Sequence, residues 1–212
     1  MNQTATQLCW SCRGPTPAGV QCTTCRALLP PAPDLDFFAL FGLERAFELE
    51  MTTLETRHRT LQRQLHPDFF AQRSPTERRL SLEWTTRLNE GRQTLIDPVA
   101  RAGYLLARLG WKEQRLPPDP EFLEEVMELR EALETVDPQA TNALARLSSL
   151  KNLATTRLQA EMAQIANLFR TWQQTPDDAI CLTIARLVDR MRYHRRYLEE
   201  LDRLEELALD AH

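Results

Sequence analysis

The sequence is poor in glycine and aromatic residues, and it contains no long apolar run. Six of its 212 residues are glycine and 7% are aromatic, which excludes a collagen-like or low-complexity chain. Its apolar stretches stay shorter than the roughly 18 residues that a membrane-spanning helix needs. The formal net charge of −4 argues against a nucleic-acid-binding protein with a uniformly basic surface. With 42% apolar residues, the chain instead has the composition of an ordinary folded protein.

Recognisable targeting and nucleotide-binding signals are also missing. The first 26 residues contain two arginines and no apolar core of signal-peptide length, so neither a secretory signal nor an Arg-rich transit peptide is visible. We expect a bacterial cytoplasmic protein that begins at Met1; the alternative is a mitochondrial matrix protein after removal of its presequence. The sequence has no Gly-rich phosphate-binding loop, so we do not expect this chain to bind nucleotide itself.

The cysteines are concentrated near the N-terminus. Two CxxC motifs, nine residues apart, supply four of the five: Cys9, Cys12, Cys22 and Cys25. This spacing predicts a structural zinc site, because each motif can present two thiolates to one tetrahedral ion. Iron in place of zinc, or two local redox pairs, are the alternatives. The fifth, Cys181, follows Ile180 on a helical stripe and is interpreted as a buried core thiol.

Apolar residues recur at periods of three and four beyond residue 34, and this pattern predicts an all-α fold. Five serine, threonine or aspartate residues precede a proline in the way that helix N-caps do: Ser74, Asp97, Asp119, Asp137 and Thr175. The last of the predicted helices form a three-helix bundle. We therefore predict three parts: residues 1–33 as a tetracysteine metal-binding segment with a Pro-rich linker, residues 34–110 as a helical domain, and residues 111–212 as the bundle.

A His-Pro-Asp tripeptide, His66, Pro67 and Asp68, separates two predicted helices. Because proline disfavours helical geometry in the residue before it, the first helix is expected to end at His66 and to expose the tripeptide on a turn. The tripeptide alone also suits an ordinary turn in which the aspartate caps the next segment. Between residues 57 and 79 there are six arginines and two acids. That local charge of +4 favours an acidic partner surface, and the arginines in the preceding helix are Arg57, Arg59 and Arg63.

The order of these elements, with the tripeptide between the second and third helices, resembles a J-domain. Four motifs are similar to HscB-type iron–sulfur cluster assembly co-chaperones: residues 34–43, 61–68, 102–106 and 122–131. The N-terminal tetracysteine is similar to the form found in animal mitochondrial members. The resemblance covers residues 34 to about 205, and it implies a helical J-domain with a hairpin bearing His-Pro-Asp, followed by the C-terminal three-helix bundle.

This resemblance implies a non-enzymatic adaptor that binds two proteins. The J-domain would dock on a DnaK-type heat-shock chaperone and stimulate its ATP hydrolysis through His66, Pro67 and Asp68. The bundle would deliver an IscU-type iron–sulfur scaffold protein. Its implied scaffold-binding residues are Leu123, Met127, Glu128, Glu131 and Tyr193.

Helical geometry gives independent support to two of the implied scaffold-binding residues. At about 100° per residue, Leu123 and Met127 point about 100° to 140° away from Phe122, the first member of the predicted core stripe. An apolar pair among acids is suited to protein binding, although a helix that touches two neighbours also needs a wide apolar face. Residues 121–137 contain seven acids and one arginine, which favours a basic client surface.

Two other function classes remain open from the sequence. The first is a general J-domain co-chaperone for unfolded clients, in which the tetracysteine segment contributes client binding or self-association. The second is a nucleic-acid-binding zinc protein, which the acidic C-terminal half disfavours. We expect neither nucleic-acid nor membrane partners.

Overall fold

Helices make up most of the structure, a computed structural model that describes residues 6–112, 114, 116–117 and 119–210. This confirms the predicted all-α class, with a four-cysteine cluster near the N-terminus and a C-terminal bundle. The described elements are, in chain order, β1 (Thr6–Leu8), β2 (Pro15–Pro17), α1 (Phe37–Leu40), α2 (Met51–Leu65), α3 (Pro67–Phe70), α4 (Pro75–Ile96), α5 (Pro98–Arg108), α6 (Pro120–Glu134), α7 (Ala143–Gln174) and α8 (Asp178–Asp210). Among the described residues, no helix combines the length and apolarity required to cross a membrane.

The chain divides into two compact units, Met1–Asp97 and Pro98–His212. The first contains the tetracysteine segment and α1 to α4; the second contains α5 to α8. The domain boundaries expected from the sequence, near residues 33 and 110, stay a prediction.

A short β-hairpin surrounds the first CxxC motif. Strands β1 and β2 pair antiparallel, with Thr6 opposite Pro17 and Leu8 opposite Pro15. These strands give no recognisable pattern in the sequence, because three residues are too few to show an alternation of apolar and polar side chains.

In the first unit, α1 packs closely on the C-terminal part of α4 through a glycine. A Cβ atom added to Gly91 would lie 2.9 Å from a ring carbon of Phe37 and 3.1 Å from one of Phe41. Any side chain at position 91 would therefore push α1 away from α4. The Asp36 side chain caps α1 by accepting a hydrogen bond from the Phe38 backbone N–H at 2.8 Å.

Both ends of the Pro-rich linker, residues 29–33, are attached to α4. The Trp84 indole Nε1 donates a buried hydrogen bond of 2.7 Å to the carbonyl oxygen of Leu29. One turn further along α4, Arg87 Nη2 donates to the carbonyl oxygen of Pro33 at 2.7 Å. Leu28 and Leu29 are each 1% exposed, so the end of the tetracysteine segment is part of the packed interior of this unit.

Three of the five predicted helix starts are confirmed. Ser74 caps α4 with a complete capping box that includes Glu77, and Asp119 accepts a hydrogen bond from the Phe122 backbone at the start of α6. Helix α5 begins at Pro98, directly after Asp97.

The other two predicted helix starts are wrong. Asp137 accepts a hydrogen bond from Gln139 N at 3.0 Å within a turn, and α7 begins only at Ala143. At the next helix, Asp177 rather than Thr175 accepts the hydrogen bond from the Ala179 backbone, at 2.8 Å. An aspartate before proline suits a turn as well as a helix cap, so this local signal cannot distinguish the two.

The second unit contains the predicted three-helix bundle, formed by α6, α7 and α8. A core of leucine, alanine, valine and tyrosine side chains lies among these helices: Leu129, Leu133, Val136, Ala143, Leu147, Ala154, Tyr197, Leu201 and Ala208. Cys181 is 3% exposed and burial raises the pKa of its thiol, in agreement with its interpretation as a core residue.

Candidate functional sites

The four N-terminal cysteines converge on one point, as the spacing predicted. The sulfur atoms of Cys9 and Cys25 are 3.6 Å apart, and those of Cys12 and Cys22 are 3.8 Å apart. All four Sγ atoms lie within 4.8 Å of one another. A tetrahedron with metal–sulfur bonds of about 2.3 Å has edges of about 3.8 Å, whereas a disulfide would need about 2.05 Å. The donors therefore fit a tetrathiolate metal site, and either zinc or iron suits this donor set.

The two CxxC motifs adopt the same backbone turn. In each, the backbone N–H two residues after the first cysteine points at that cysteine's sulfur at 3.4 Å, and the residue after the second cysteine has a positive φ. These left-handed residues are Arg13 (φ 58°) and Arg26 (φ 63°).

Backbone N–H groups also favour ionised sulfur at the second motif. The N–H of Cys25 lowers the pKa of the Cys22 thiol to about 6, and the N–H of Ala27 lowers the pKa of Cys25. Thiolates are the form that binds metal, so the backbone prepares these ligands for a cation.

The tripeptide His66–Pro67–Asp68 forms the start of α3, a single helical turn, rather than an irregular loop. His66 is the N-cap of this turn, and its Nδ1 accepts a hydrogen bond from Asp68 N at 3.3 Å. Pro67 occupies the first helical position, where its missing N–H costs nothing. The preceding residue, Leu65, is fully buried, and its carbonyl oxygen accepts a buried hydrogen bond of 2.7 Å from Ser81 Oγ. The tripeptide is therefore fixed from the core side while the Asp68 side chain remains 88% exposed.

The three predicted arginines of α2 have different surroundings. Arg59 and Arg63 are exposed. Arg57 donates a hydrogen bond to the carbonyl oxygen of Phe41 at 2.7 Å and another to that of Gly42. Arg57 thus connects α2 to the end of α1, in addition to contributing positive charge.

The predicted scaffold-binding residues of α6 lie together on an exposed face. The side chains of Leu123 and Met127 are 49% and 70% exposed and are four residues apart, so they are neighbours on the helix. Glu128 and Glu131 are exposed as well. The buried residues of α6, by contrast, include Leu129 and Leu133. We call Leu123, Met127, Glu128 and Glu131 the α6 face.

Tyr193, the remaining residue of the predicted scaffold-binding set, lies on α8. It is half-buried, and its hydroxyl donates to the Val126 carbonyl oxygen at 3.3 Å. Its ring also packs edge-on against Phe122, with 5.6 Å between ring centroids. Helix α8 contacts α6 as well as α7, so two of its faces are covered. Burial raises the pKa of the Tyr193 hydroxyl.

Comparison with known proteins connects this arrangement with one family. A family model described as the HSCB C-terminal oligomerisation domain matches residues 118–202. The iron–sulfur cluster co-chaperone protein HscB homolog of Arabidopsis thaliana is 30% identical over 195 residues, which cover 91% of this chain and 72% of the plant protein. This chain belongs to the HscB family. The resemblance inferred from the sequence motifs is thereby confirmed.

Two further relatives show how far the similarity extends. The iron–sulfur cluster co-chaperone protein HscB of Mus musculus is 38% identical over 148 residues, or 66% of this chain. That match spans 62% of the mouse protein, less than two thirds of its length. The crystal structure of human co-chaperone protein HscB superposes with a TM-score of 0.80 at 30% identity, covering 92% of this chain and 97% of the human one. These HscB relatives are named as co-chaperones rather than enzymes.

The bundle of this HscB-family chain also contains a buried polar cluster that the sequence analysis missed. His194 is fully buried; its Nδ1 lies 3.0 Å from Glu161 Oε2 and its Nε2 lies 2.9 Å from Glu125 Oε1. Arg157 pairs with the same Glu125 oxygen at 3.0 Å. Although desolvation lowers it, the two carboxylates raise the pKa of His194 overall. The sequence signal was available: Glu161 lies four residues before the buried Ile165, on the core side of α7.

Proposed function

We propose that this protein recruits and activates a DnaK-type ATPase chaperone through His66–Pro67–Asp68, and that it delivers an IscU-type iron–sulfur scaffold protein to that chaperone through the bundle. The observation that carries the proposal is the tripeptide itself, which follows α2 with His66 and Pro67 half-buried and the Asp68 side chain exposed. Membership of a co-chaperone family supports it.

The surface around the tripeptide suits an acidic partner. Residues 57–79, which contain the tripeptide, include six arginines and two acids, and Arg59 and Arg63 are exposed on α2. Charge complementarity of this kind increases association rates and excludes partners of the same sign. Since the ATP-binding machinery belongs to the partner, this chain needs only to bind and orient it.

The α6 face suits a folded, basic client. Exposed apolar side chains surrounded by charge are common at protein-binding sites, and the flexible thioether of Met127 can adapt to a partner surface. We propose that the scaffold contacts Leu123, Met127, Glu128 and Glu131, with Tyr193 at the edge of the contact. A chain that binds both proteins raises the concentration of the scaffold at the chaperone without any chemical step of its own.

We propose that the tetracysteine site holds zinc in a structural role. Four protein thiolates complete a tetrahedral coordination shell, so no position is open for substrate, and a catalytic zinc normally has three protein ligands. The ion would stabilise the fold of a segment that is too short to bury a core of its own.

Steady-state ATP hydrolysis by a DnaK-type chaperone with an IscU-type scaffold tests the chaperone contact. The native protein is expected to stimulate turnover and the His66→Gln variant to lose this effect, while its circular dichroism spectrum stays native because only one cap hydrogen bond is changed, worth about 1 kcal/mol. If the native protein stimulates no chaperone of this class, the proposal is wrong.

Scaffold binding is tested separately with Met127→Lys. We expect the dissociation constant for the folded scaffold to rise at least about tenfold, as when an apolar contact is lost at the centre of an interface. Leu153→Lys is the matched control, since Leu153 is also exposed, at 42%, and lies on α7 of the same bundle. Equal effects of the two changes would contradict the assignment. Binding of unfolded chains without binding of the folded scaffold would favour a general co-chaperone.

A further inference from the structure

A groove of about 750 Å³ lies between the tetracysteine segment and α3. The proposed function uses the charge of Arg73 and Glu77 on one wall and assigns no role to the tetracysteine wall. Residues of the second CxxC motif and Trp10 form one wall, and the residues that follow the His-Pro-Asp tripeptide form the other. The lining includes two aromatic and three charged side chains: Trp10, Phe69, Arg26, Arg73 and Glu77.

The groove combines positive charge with apolar rings. Arg26 and Arg73 are exposed cations. The single acid, Glu77, already accepts hydrogen bonds from Ser74 N at 3.3 Å and Ser74 Oγ at 3.0 Å in the capping box of α4. Its charge is thus directed to the helix N-terminus. The net character of the groove is cationic, which suits an acidic occupant.

Two aromatic side chains are held in the groove with large exposed surfaces. Phe69 is 70% exposed although it is a large apolar residue. Trp10 is 42% exposed, and its orientation is fixed because its Nε1 donates to the Leu28 carbonyl oxygen at 2.6 Å. Fixed, exposed aromatic rings are typical anchors of protein interfaces. Together with the arginines, they fit a chain segment that has both carboxylates and an apolar side chain.

The groove is continuous with the tripeptide surface. Phe69 follows Asp68 directly in the single turn of α3 and lines the groove, so the groove begins one residue after the tripeptide. The opposite wall is also held in place, because Leu29 is anchored to Trp84 of α4. The scaffold is the poorer candidate occupant. Its proposed contact, the α6 face, lies among seven acids and one arginine and requires a basic partner, whereas the groove requires an acidic one.

We propose that this groove binds an acidic segment, carrying at least one apolar side chain, of the same ATPase chaperone that the tripeptide recruits. The tetracysteine segment is then part of the chaperone-docking surface, as well as a structural unit. This inference depends on the proposed function, since it names a second contact with the same partner.

The test compares two arginines in the same backbone conformation. Arg26 lines the groove, whereas Arg13 is the corresponding left-handed residue of the other CxxC motif and is not among the lining residues. Asparagine tolerates positive φ, so Arg26→Asn and Arg13→Asn remove one charge each with equal backbone consequences. Both are made in the full metal-loaded chain, and thiol titration checks that the four cysteines stay coordinated.

We expect Arg26→Asn to raise the concentration needed for half-maximal ATPase stimulation about fivefold, with the maximal stimulation retained because the tripeptide is intact. Phe69→Ser is expected to act in the same direction. Arg13→Asn should leave the half-maximal concentration unchanged. The difference between the two arginine positions should also shrink at high salt, since an exposed charge contact is screened.

Several results would overturn the inference without affecting the proposed function. One is that His66→Gln abolishes stimulation while the groove variants behave like Arg13→Asn. Another is that the groove variants weaken binding of the scaffold and not of the chaperone. If the native chain itself gives no stimulation, the proposed function has failed, and that outcome is separate from the other two.

Discussion

In the tetracysteine segment, two of the four residues that form the buried cluster are cysteines of the metal site, Cys9 and Cys22. In the C-terminal bundle, the buried cluster consists of side chains from three helices, among them Leu129, Leu147 and Leu201. The first region is too short to gain enough stability from apolar burial and needs a covalent or metal crosslink. The second gains its stability from burial of apolar surface, with one charged cluster inside it. The two regions should therefore respond to different perturbations.

Removal of the metal should give the largest difference in folding between the tetracysteine segment and the bundle. Binding of a structural zinc provides about 10–16 kcal/mol of apparent free energy at neutral pH, so a strong chelator is expected to unfold the tetracysteine segment and to leave the bundle helices folded. Amide NMR signals of residues 6–29 should lose their dispersion, while those of α7 and α8 stay in place. A chelated protein that keeps dispersed signals for residues 6–29 would show that the segment folds without metal.

Within the bundle, His194→Gln should have the largest effect. The change leaves Glu161, which is 7% exposed, without its ionic partner, and breaking a buried ion pair costs about 3–5 kcal/mol. Urea unfolding of the native protein and the variant measures this difference. If the free energy of unfolding falls by less than about 1 kcal/mol, the value of an ordinary hydrogen bond, the cluster is not ionised in the folded protein.

The same cluster predicts a pH dependence. The pKa of His194 is raised in the folded protein above its ordinary value of 6.5, so the folded state binds the proton more tightly than the unfolded state. The stabilisation is fully present below pH 6.5 and is lost as the pH rises through the folded-state pKa. The stability difference between the native protein and His194→Gln should therefore decrease with increasing pH. A constant difference would contradict protonation of His194 between Glu161 and Glu125.

The last comparison concerns the apolar core and includes the smallest expected effect, that of the exposed residue Leu153. Leu147→Ala should lower the free energy of unfolding by about 2–5 kcal/mol, because Leu147 is 1% exposed and its removal leaves a cavity. Leu153→Ala on the same helix should change it by less than about 0.5 kcal/mol, since Leu153 is 42% exposed. Neither change should alter metal binding by the tetracysteine segment. Coupled losses of metal and bundle stability would show that the two regions are not independent.

Signals that act over a few residues were sufficient to predict much of the fold. The capping box at Ser74 and the N-cap at Asp119 are local hydrogen-bond patterns, and the CxxC spacing places four sulfurs around one point. The same local logic is wrong at Asp137, because capping of a turn and capping of a helix use the same side-chain hydrogen bond. The helical period also does not show how many neighbours a helix has, so the packing of Tyr193 on α8 against Phe122 of α6 could not be predicted from it.

Features built from distant residues could not be predicted in this way. His194 lies 33 residues from Glu161 and 69 from Glu125 along the chain, so its apolar spacing made it resemble an ordinary core position. The groove beside α3 joins Arg26 to Arg73 through the packing of the tetracysteine segment on α4. Both depend on tertiary contacts, for which a single sequence contains no direct signal.

Two hydrogen bonds donated by α4 hold the ends of the Pro-rich linker, and they determine how much the length of the linker can vary. Trp84 and Arg87 are one helical turn apart, so they fix the separation of the Leu29 and Pro33 carbonyl groups. A freely jointed spacer tolerates inserted residues at little cost, but an insertion between positions 30 and 32 would break one of these bonds. Inserted tags or reporters are better placed at Gly19, where an added Cβ atom meets nothing within 4 Å.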